Sequence, residues 1–306
     1  MNPSLHGIIP PMVTPLRENG DLDTHAHKRL ITYLLRGGVH GIFLLGTTGE
    51  GPSLDHGLRK QIVSEACTVI NKRVPTLVCI TDTSFKETLA LAQHAKEAGA
   101  DYVVLASPYY FPISQEEFQE YLVALAPRLP LPFLIYNMPS CTKIHLAIET
   151  VKKAKALGAI GIKDSSGNRA YLLSLLQEFR DDPSFSIITG NEALLPEMMQ
   201  KGGCGAVAGG ANFFPKLFVA LYDACIANDR DAVARHLERV NWISNTIYNV
   251  GKQESKYVKG TKCTLSVMGI CNDYAAPPIG QFNSTERNQI IRYLEEFSYK
   301  DEYTIK

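Results

Sequence analysis

The sequence predicts an α/β protein built as a (β/α)8 barrel, the TIM-barrel architecture, with a helical extension at its C-terminal end. Three observations carry that prediction. Short apolar runs alternate eight times with amphipathic stretches of helical period, the pattern of parallel strands joined by crossover helices. The 306 residues suit a barrel of about 250 residues plus an appendage. No linker divides the chain near its middle, as two adjacent open α/β domains would require. The expected boundaries are 1–228 for the barrel and 229–306 for the extension.

In chain order, residues 7–14 form the first candidate strand, weakened by Pro10 and Pro11 because proline donates nothing to a ladder. A loop with Asn19-Gly20 follows, and Asp23 or Thr24 caps a helix running to about Arg36. Residues 41–45 are the second strand, ending in Gly46-Thr47-Thr48-Gly49-Glu50-Gly51. A helix to about Asn71, a strand over 74–80 and a helix over 84–98 come next. In that helix Leu91, Ala92, Ala95 and Ala98 share one face, which argues for packing on a sheet. Residues 102–106 are the fourth strand, followed by Ser107-Pro108-Tyr109-Tyr110, and the next helix gathers Phe118, Tyr121, Leu122 and Leu125 on one face. Residues 132–136 form the fifth strand, closed by Asn137-Met138-Pro139, with a helix over 146–157. The sixth strand is 159–163, and Tyr171, Leu172, Leu175, Leu176 and Phe179 mark the helix beyond it. Strand seven covers 185–189 and ends in Gly190-Asn191-Glu192. Strand eight covers 205–208 and runs into Gly209-Gly210-Ala211-Asn212, with a last barrel helix over 215–227. Beyond Arg230 the strand signal stops. Stretches 231–249, 253–268 and 285–297 read as helices, the last capped by Ser284, with Pro277-Pro278 breaking the run before it. The extension reads as a small unit packed on the barrel without a function of its own, and residues 299–306 as poorly ordered.

Composition excludes several classes. Thirty-one basic and 31 acidic residues leave a formal net charge of zero, which gives no electrostatic footprint for nucleic acid or an anionic membrane. The N-terminal residues lack a basic segment followed by an apolar core, and no stretch reaches the roughly 18 apolar residues that span a bilayer. A soluble cytoplasmic protein is the expectation. The seven cysteines are scattered and form no CxxC pair, as expected of reduced, mostly core residues rather than a disulfide or zinc framework.

The chemistry centres on residues 159–167, where an apolar run delivers Lys163 to the edge of a buried strand and then turns into polar loop. Burial disfavours an ammonium, so an amine held at such an edge keeps a fraction in the free form that attacks a carbonyl carbon. The competing reading is a lysine that snorkels to water or pairs with Asp164. Barrels place their chemistry at the C-terminal ends of the strands. Thr47 and Thr48 follow strand two, Tyr110 follows strand four, Tyr136 ends strand five and Lys163 ends strand six, so all converge on one rim. Each has a plain structural use: a tyrosine at a strand end is often a lid over the core, and a Gly-Thr-Thr-Gly-Glu turn often only starts a helix. The histidines show no ligand spacing, and neither metal nor organic cofactor is expected.

Gly46-Thr47-Thr48-Gly49-Glu50, Pro108-Tyr109-Tyr110, Tyr136-Asn137-Met138-Pro139 and Gly161-Ile162-Lys163-Asp164, in this order and spacing, resemble the signature of the dihydrodipicolinate synthase and N-acetylneuraminate lyase family of pyruvate-dependent class I aldolases. The resemblance implies a Schiff base between Lys163 and pyruvate or a pyruvate-containing 2-oxo acid. It implies proton transfer by Tyr136, relayed through Thr48 and Tyr110, because a free phenol with a pKa of about 10 exchanges protons slowly near neutrality. Tyr110 would serve a neighbouring subunit's site in a homodimer or homotetramer. Gly46, Thr47, Thr48, Gly190, Glu192 and Val207 would bind substrate, with Thr47 and Thr48 on the pyruvate carboxylate.

Departures bear on the substrate. In the synthase branch an arginine follows the Tyr-Asn-x-Pro-Ser sequence and grips the second substrate's carboxylate; here that position is Cys141, followed by Thr142-Lys143. In the sialic acid lyase branch an acidic pair and a serine hold the sugar hydroxyls. This chain keeps Glu192 but has Gly209-Gly210 where the serine is expected, and the glycines promise room and free backbone amides. A lyase acting on a 2-keto-3-deoxy sugar acid or related hydroxy-oxo acid is therefore expected. The alternatives are synthase-type condensation of pyruvate with an aldehyde, or a weakly catalytic barrel that binds an oxo acid or phosphate at Gly190 and the Gly209-Gly210 turn.

Overall fold

The computed structural model describes residues 5–298, and the expectation for residues 299–306 lies outside them. Its strands are β1 (Gly7–Ile8), β2 (Ile42–Leu44), β3 (Thr76–Cys79), β4 (Tyr102–Ala106), β5 (Phe133–Asn137), β6 (Ala159–Asp164), β7 (Ser186–Thr189) and β8 (Gly205–Ala206). All pairs are parallel, in the order β1-β8-β7-β6-β5-β4-β3-β2. The ring closes between the first strand and β2 through a bridge from Pro11 to Phe43, with Phe43 N donating to Pro10 O at 3.0 Å and Met12 N to Phe43 O at 2.9 Å. The prolines cut β1 to two residues, since neither donates to the ladder. They do not prevent closure, because the Pro10 carbonyl and the Met12 amide still serve it.

Between and after the strands run α1 (Thr24–Arg36), α2 (His56–Ile70), α3 (Phe85–Ala98), α4 (Gln115–Leu125), a single turn α5 (Pro139–Thr142), α6 (Ile148–Ala156), α7 (Arg169–Glu178), α8 (Leu195–Gln200) and α9 (Pro215–Ile226). Their starts are legible chemistry. Asp23 accepts from Ala26 N at 3.0 Å, and Ser114 with Glu117 forms a reciprocal capping box. Strand alternation makes two apolar layers. Ile9, Phe43, Leu77, Val104, Leu134 and Ile188 fill the barrel, while Ile42, Val78, Val103, Ile135 and Ile162 pack outward under the helices.

The extension comprises α10 (Arg230–Asn245), α11 (Lys256–Val267) and α12 (Ser284–Ser298). The stretch expected as one helix over 231–249 ends at Asn245, where Thr246 leaves helical geometry. Asn283, not Ser284, caps α12: its side chain accepts from Glu286 N, and the Glu286 carboxylate accepts from Asn283 N, each at 3.0 Å. Phe297 stacks on Phe214 at 4.2 Å and fastens α12 to the barrel. Among the described residues no helix is long and apolar enough to cross a membrane.

Candidate active site

Strand pairing sets the centre of the site. Tyr136 lies beside Lys163 and Asn137 beside Asp164 across the β5–β6 ladder. Alternation turns the first pair into the barrel and the second toward the helices. Lys163 Nζ sits 3.5 Å from the Tyr136 ring centroid and 5.6 Å from that of Phe43, and donates to Ser165 Oγ at 3.0 Å. Lys163 is 6% exposed, so it does not snorkel into bulk water. Nor does it pair with Asp164, which accepts from Asn137 Nδ2 at 2.6 Å and Ser166 Oγ at 2.9 Å on the outer face, where burial pushes its carboxyl upward.

The turn after β2 supplies the next groups. Leu45 and Glu50 both hold φ of 58°, a left-handed conformation that costs a non-glycine residue roughly 1–2 kcal/mol. Gly51 is obligatory, since a Cβ there would stand 2.1 Å from the Leu45 carbonyl oxygen. The bent turn divides its two threonines. Thr47 Oγ1 meets the Tyr136 hydroxyl at 3.3 Å, whereas the Thr48 hydroxyl meets Tyr257 from α11. The threonine within hydrogen-bond reach of Tyr136 is thus Thr47, one residue before the expected Thr48, because successive side chains leave the turn in opposite directions. Among the described residues the amides of Thr47 and Thr48 donate to no other protein group.

The opposite wall departs from expectation. Glu192 accepts from Gly210 N at 2.8 Å and from the Tyr248 hydroxyl at 2.9 and 3.2 Å. Burial raises its carboxyl to about 7, against the pull of the Gly210 amide and Tyr248. Tyr248 and Tyr257 lie with ring centroids 4.6 Å apart, and burial holds both phenols neutral. The glycines promised open space and free amides, but the Gly210 amide is committed to Glu192, and a Cβ on Gly209 would stand 1.7 Å from the Tyr257 hydroxyl. The space belongs to aromatic rings from the extension. This occupancy also removes the anion nest offered as an alternative reading of that turn.

A cavity of about 330 Å3 brings together Lys163, Tyr136, Thr47, Thr48, Gly190, Glu192 and Val207, all expected from sequence. Ser165, Asn191, Ser244, Tyr248 and Tyr257 complete its wall. Sequence reasoning missed the last three because they belong to helical stretches of ordinary amphipathic pattern. Gly46 lines a second cavity, of about 460 Å3, which shares Thr47, Tyr136 and Met138 with the first and includes Tyr109 and Cys141. Tyr110 lines neither. It is 69% exposed, set edge-on to Phe111, which is 71% exposed. Lys143 donates to the Tyr110 carbonyl at 2.9 Å. All seven cysteines are free, and Cys141 is exposed rather than part of the core because it sits on the short α5 turn. Among the described residues no three His, Cys, Asp or Glu are grouped to hold a metal ion.

Fold and site together define a (β/α)8 barrel with a buried lysine amine set among phenols and hydroxyls at the C-terminal mouth. The chain belongs to the dihydrodipicolinate synthetase family, whose model matches residues 4–297. It is 32% identical to YjhH of Escherichia coli, described as a probable 2-dehydro-3-deoxy-D-pentonate aldolase, over 93% of this chain and 94% of that one. The structure of dihydrodipicolinate synthase from Bacteroides thetaiotaomicron superposes with a TM-score of 0.93 at 46% identity, covering 97% of this chain and all of that one. YagE of Escherichia coli, a member of the same family solved in complex with pyruvate, gives a TM-score of 0.90 at 30% identity, covering 96% and 98%.

Proposed function

We propose that this chain is a class I aldolase that forms an imine between Lys163 and a 2-oxo acid and releases or consumes pyruvate. The observation that carries the reading is the Lys163 amine, buried 3.5 Å from the ring of Tyr136, whose hydroxyl touches Thr47 at the head of a turn with two uncommitted amides. The amine attacks the 2-oxo carbon to give a carbinolamine, whose hydroxyl leaves as water with the proton of the Tyr136 phenol, and the protonated imine is held by the substrate carboxylate on the Thr47 and Thr48 amides. In the cleavage direction the Tyr136 phenolate left by that step takes the proton of the C4 hydroxyl, the C3–C4 bond breaks, and its electron pair enters the imine as an enamine while the aldehyde departs. Protonation at C3 and hydrolysis of the imine return pyruvate and the free lysine. The imine is the electron sink, so the reaction needs no metal or organic cofactor.

The favoured substrate is a hydroxylated 2-oxo acid of the 2-keto-3-deoxy sugar-acid class. Ser165, Asn191 and Ser244 line the cavity with hydroxyl and amide groups suited to sugar hydroxyls. Among the described residues no arginine lines it, and Cys141 stands where synthases carry one. The similarity to YjhH supports the same class. The exposed Tyr110-Phe111 pair supports assembly as a homodimer or homotetramer in which Tyr110 completes a neighbour's site. Seven free cysteines support a reducing, cytoplasmic setting. Borohydride reduction in the presence of pyruvate tests the chemistry: one pyruvate-derived mass should appear on the peptide containing Lys163, and Lys163→Arg should abolish it, since arginine stays protonated. Labelling at another lysine, or none in the wild type, would overturn the proposal.

A further inference from the structure

We propose that Lys262, on α11 of the extension, is a positioning residue for the substrate-carboxylate turn, acting through Glu50. The inference rests on the role proposed for Thr47 and Thr48. Lys262 Nζ donates to Glu50 Oε1 at 2.5 Å and to Thr14 O at 2.9 Å, and both charged side chains are fully buried. Glu50 Oε2 accepts from Ala276 N at 2.6 Å, so the carboxylate is held from two points of the extension. Thr14 Oγ1 in turn donates to Gly49 O at 2.7 Å. The residues gripped in this way, Gly49 and Glu50, are the two that directly follow Thr47 and Thr48.

The arrangement has a mechanical consequence. Glu50 holds φ of 58° without being glycine, and its own amide closes the turn on Thr47 O at 3.1 Å. A left-handed non-glycine residue persists where its surroundings over-determine it. Here the surroundings are a fully buried ion pair anchored more than 200 positions away in sequence. Two charges taken wholly out of water gain little net stability over well-packed apolar groups of similar volume, so stability alone does not account for them. What the pair supplies is direction: an ammonium held on the Thr14 carbonyl, with the Ala276 amide on the other carboxylate oxygen, leaves the Glu50 carboxylate one place to stand. The turn is therefore clamped from behind by Lys262 and met in front by Tyr257, both from α11, and the Thr47 and Thr48 amides are aimed at the cavity. On this view the extension is part of the binding apparatus, and the barrel without it holds the lysine but not the carboxylate.

The test compares Lys262→Met, Glu50→Gln and the double variant with the wild type in borohydride trapping over a range of pyruvate concentrations. Glu50→Gln keeps volume and the acceptor for the Ala276 amide, and the double variant removes both charges, the replacement that buried pairs tolerate best. The half-saturating pyruvate concentration should rise about tenfold or more in each folded variant, the scale of a misplaced binding group, while the amount trapped at saturation stays at one per chain. Leu125→Ala, a cavity variant in α4, is the control. It should lower the melting temperature without moving half-saturation. A folded Lys262 or Glu50 variant with wild-type half-saturation overturns the inference, as does failure of all three to fold, which would make the pair a folding device. Absence of trapping in the wild type would instead strike the imine chemistry.

Discussion

Tyr136→Phe separates a chemical role for the phenol from a packing role, because the two predict effects on different quantities. The substitution removes one hydroxyl and keeps the ring. The Tyr136 hydroxyl meets Thr47 Oγ1 at 3.3 Å, a long bond, and such a bond contributes about 0.5–1.5 kcal/mol net. The edge contact with Phe43, at 6.4 Å between centroids, and the approach of Lys163 Nζ to the ring face both survive in phenylalanine. Stability should therefore fall by about 1 kcal/mol at most, and the melting temperature by no more than a few degrees. Turnover should fall by about 100-fold or more, the scale of a positioned acid or base, which is about 2.7 kcal/mol of transition-state stabilisation. Pyruvate release from a 2-keto-3-deoxy acid, coupled to lactate dehydrogenase, reads the first quantity, and a thermal melt of the same preparation reads the second. Turnover within a few-fold of wild type, beside a small change in stability, would refute the assignment of Tyr136 as the proton-transfer group.

Further expectations are independent of that one. Condensation of pyruvate with aspartate semialdehyde should be negligible beside cleavage of a hydroxylated 2-oxo acid, because a neutral thiol at Cys141 lacks the paired donors of an arginine, and Lys143 is already committed to the Tyr110 carbonyl; a charge-assisted bond lost in this way costs on the order of 1.5–3 kcal/mol. The ratio of the two specificity constants on one preparation decides it, and a ratio favouring the semialdehyde would return the chain to the synthase branch. Mixing the inactive variants Lys163→Arg and Tyr110→Phe should restore part of the activity after subunit exchange if Tyr110 crosses an interface, and no recovery would confine it to the surface. Finally, His27 is fully buried with no partner on either ring nitrogen among the described residues, and burial lowers its pKa to about 4 from 6.5. The unfolded chain binds the proton more tightly, so this contribution is complete above pH 6.5, falls as the pH drops below it and levels off below about 4. The loss is about 2 kcal/mol between pH 7 and 5. Urea melts at the two pH values should show it, and His27→Phe should remove that part of the slope.

The sequence by itself determined the ring and the juxtaposition of Tyr136 with Lys163 at its rim. Eight apolar runs with amphipathic stretches between them can bury their faces in few ways, and the two-residue period then sends Tyr136 and Lys163 to the same side of neighbouring strands. Even the shortened first strand was foreshadowed by Pro10 and Pro11. Tertiary structure decided what local pattern does not encode. Which threonine meets Tyr136 depends on the left-handed bends at Leu45 and Glu50, and a one-residue difference there exchanges Thr47 for Thr48. The room expected beside Gly209 and Gly210 was filled by Tyr248 and Tyr257, residues that read from sequence as ordinary amphipathic positions. Lys262 gave no sign of the buried bond it makes to Glu50, 212 positions earlier. Period and propensity act over a few residues, whereas these contacts join segments that approach each other only once the barrel has closed and the extension has packed against its mouth.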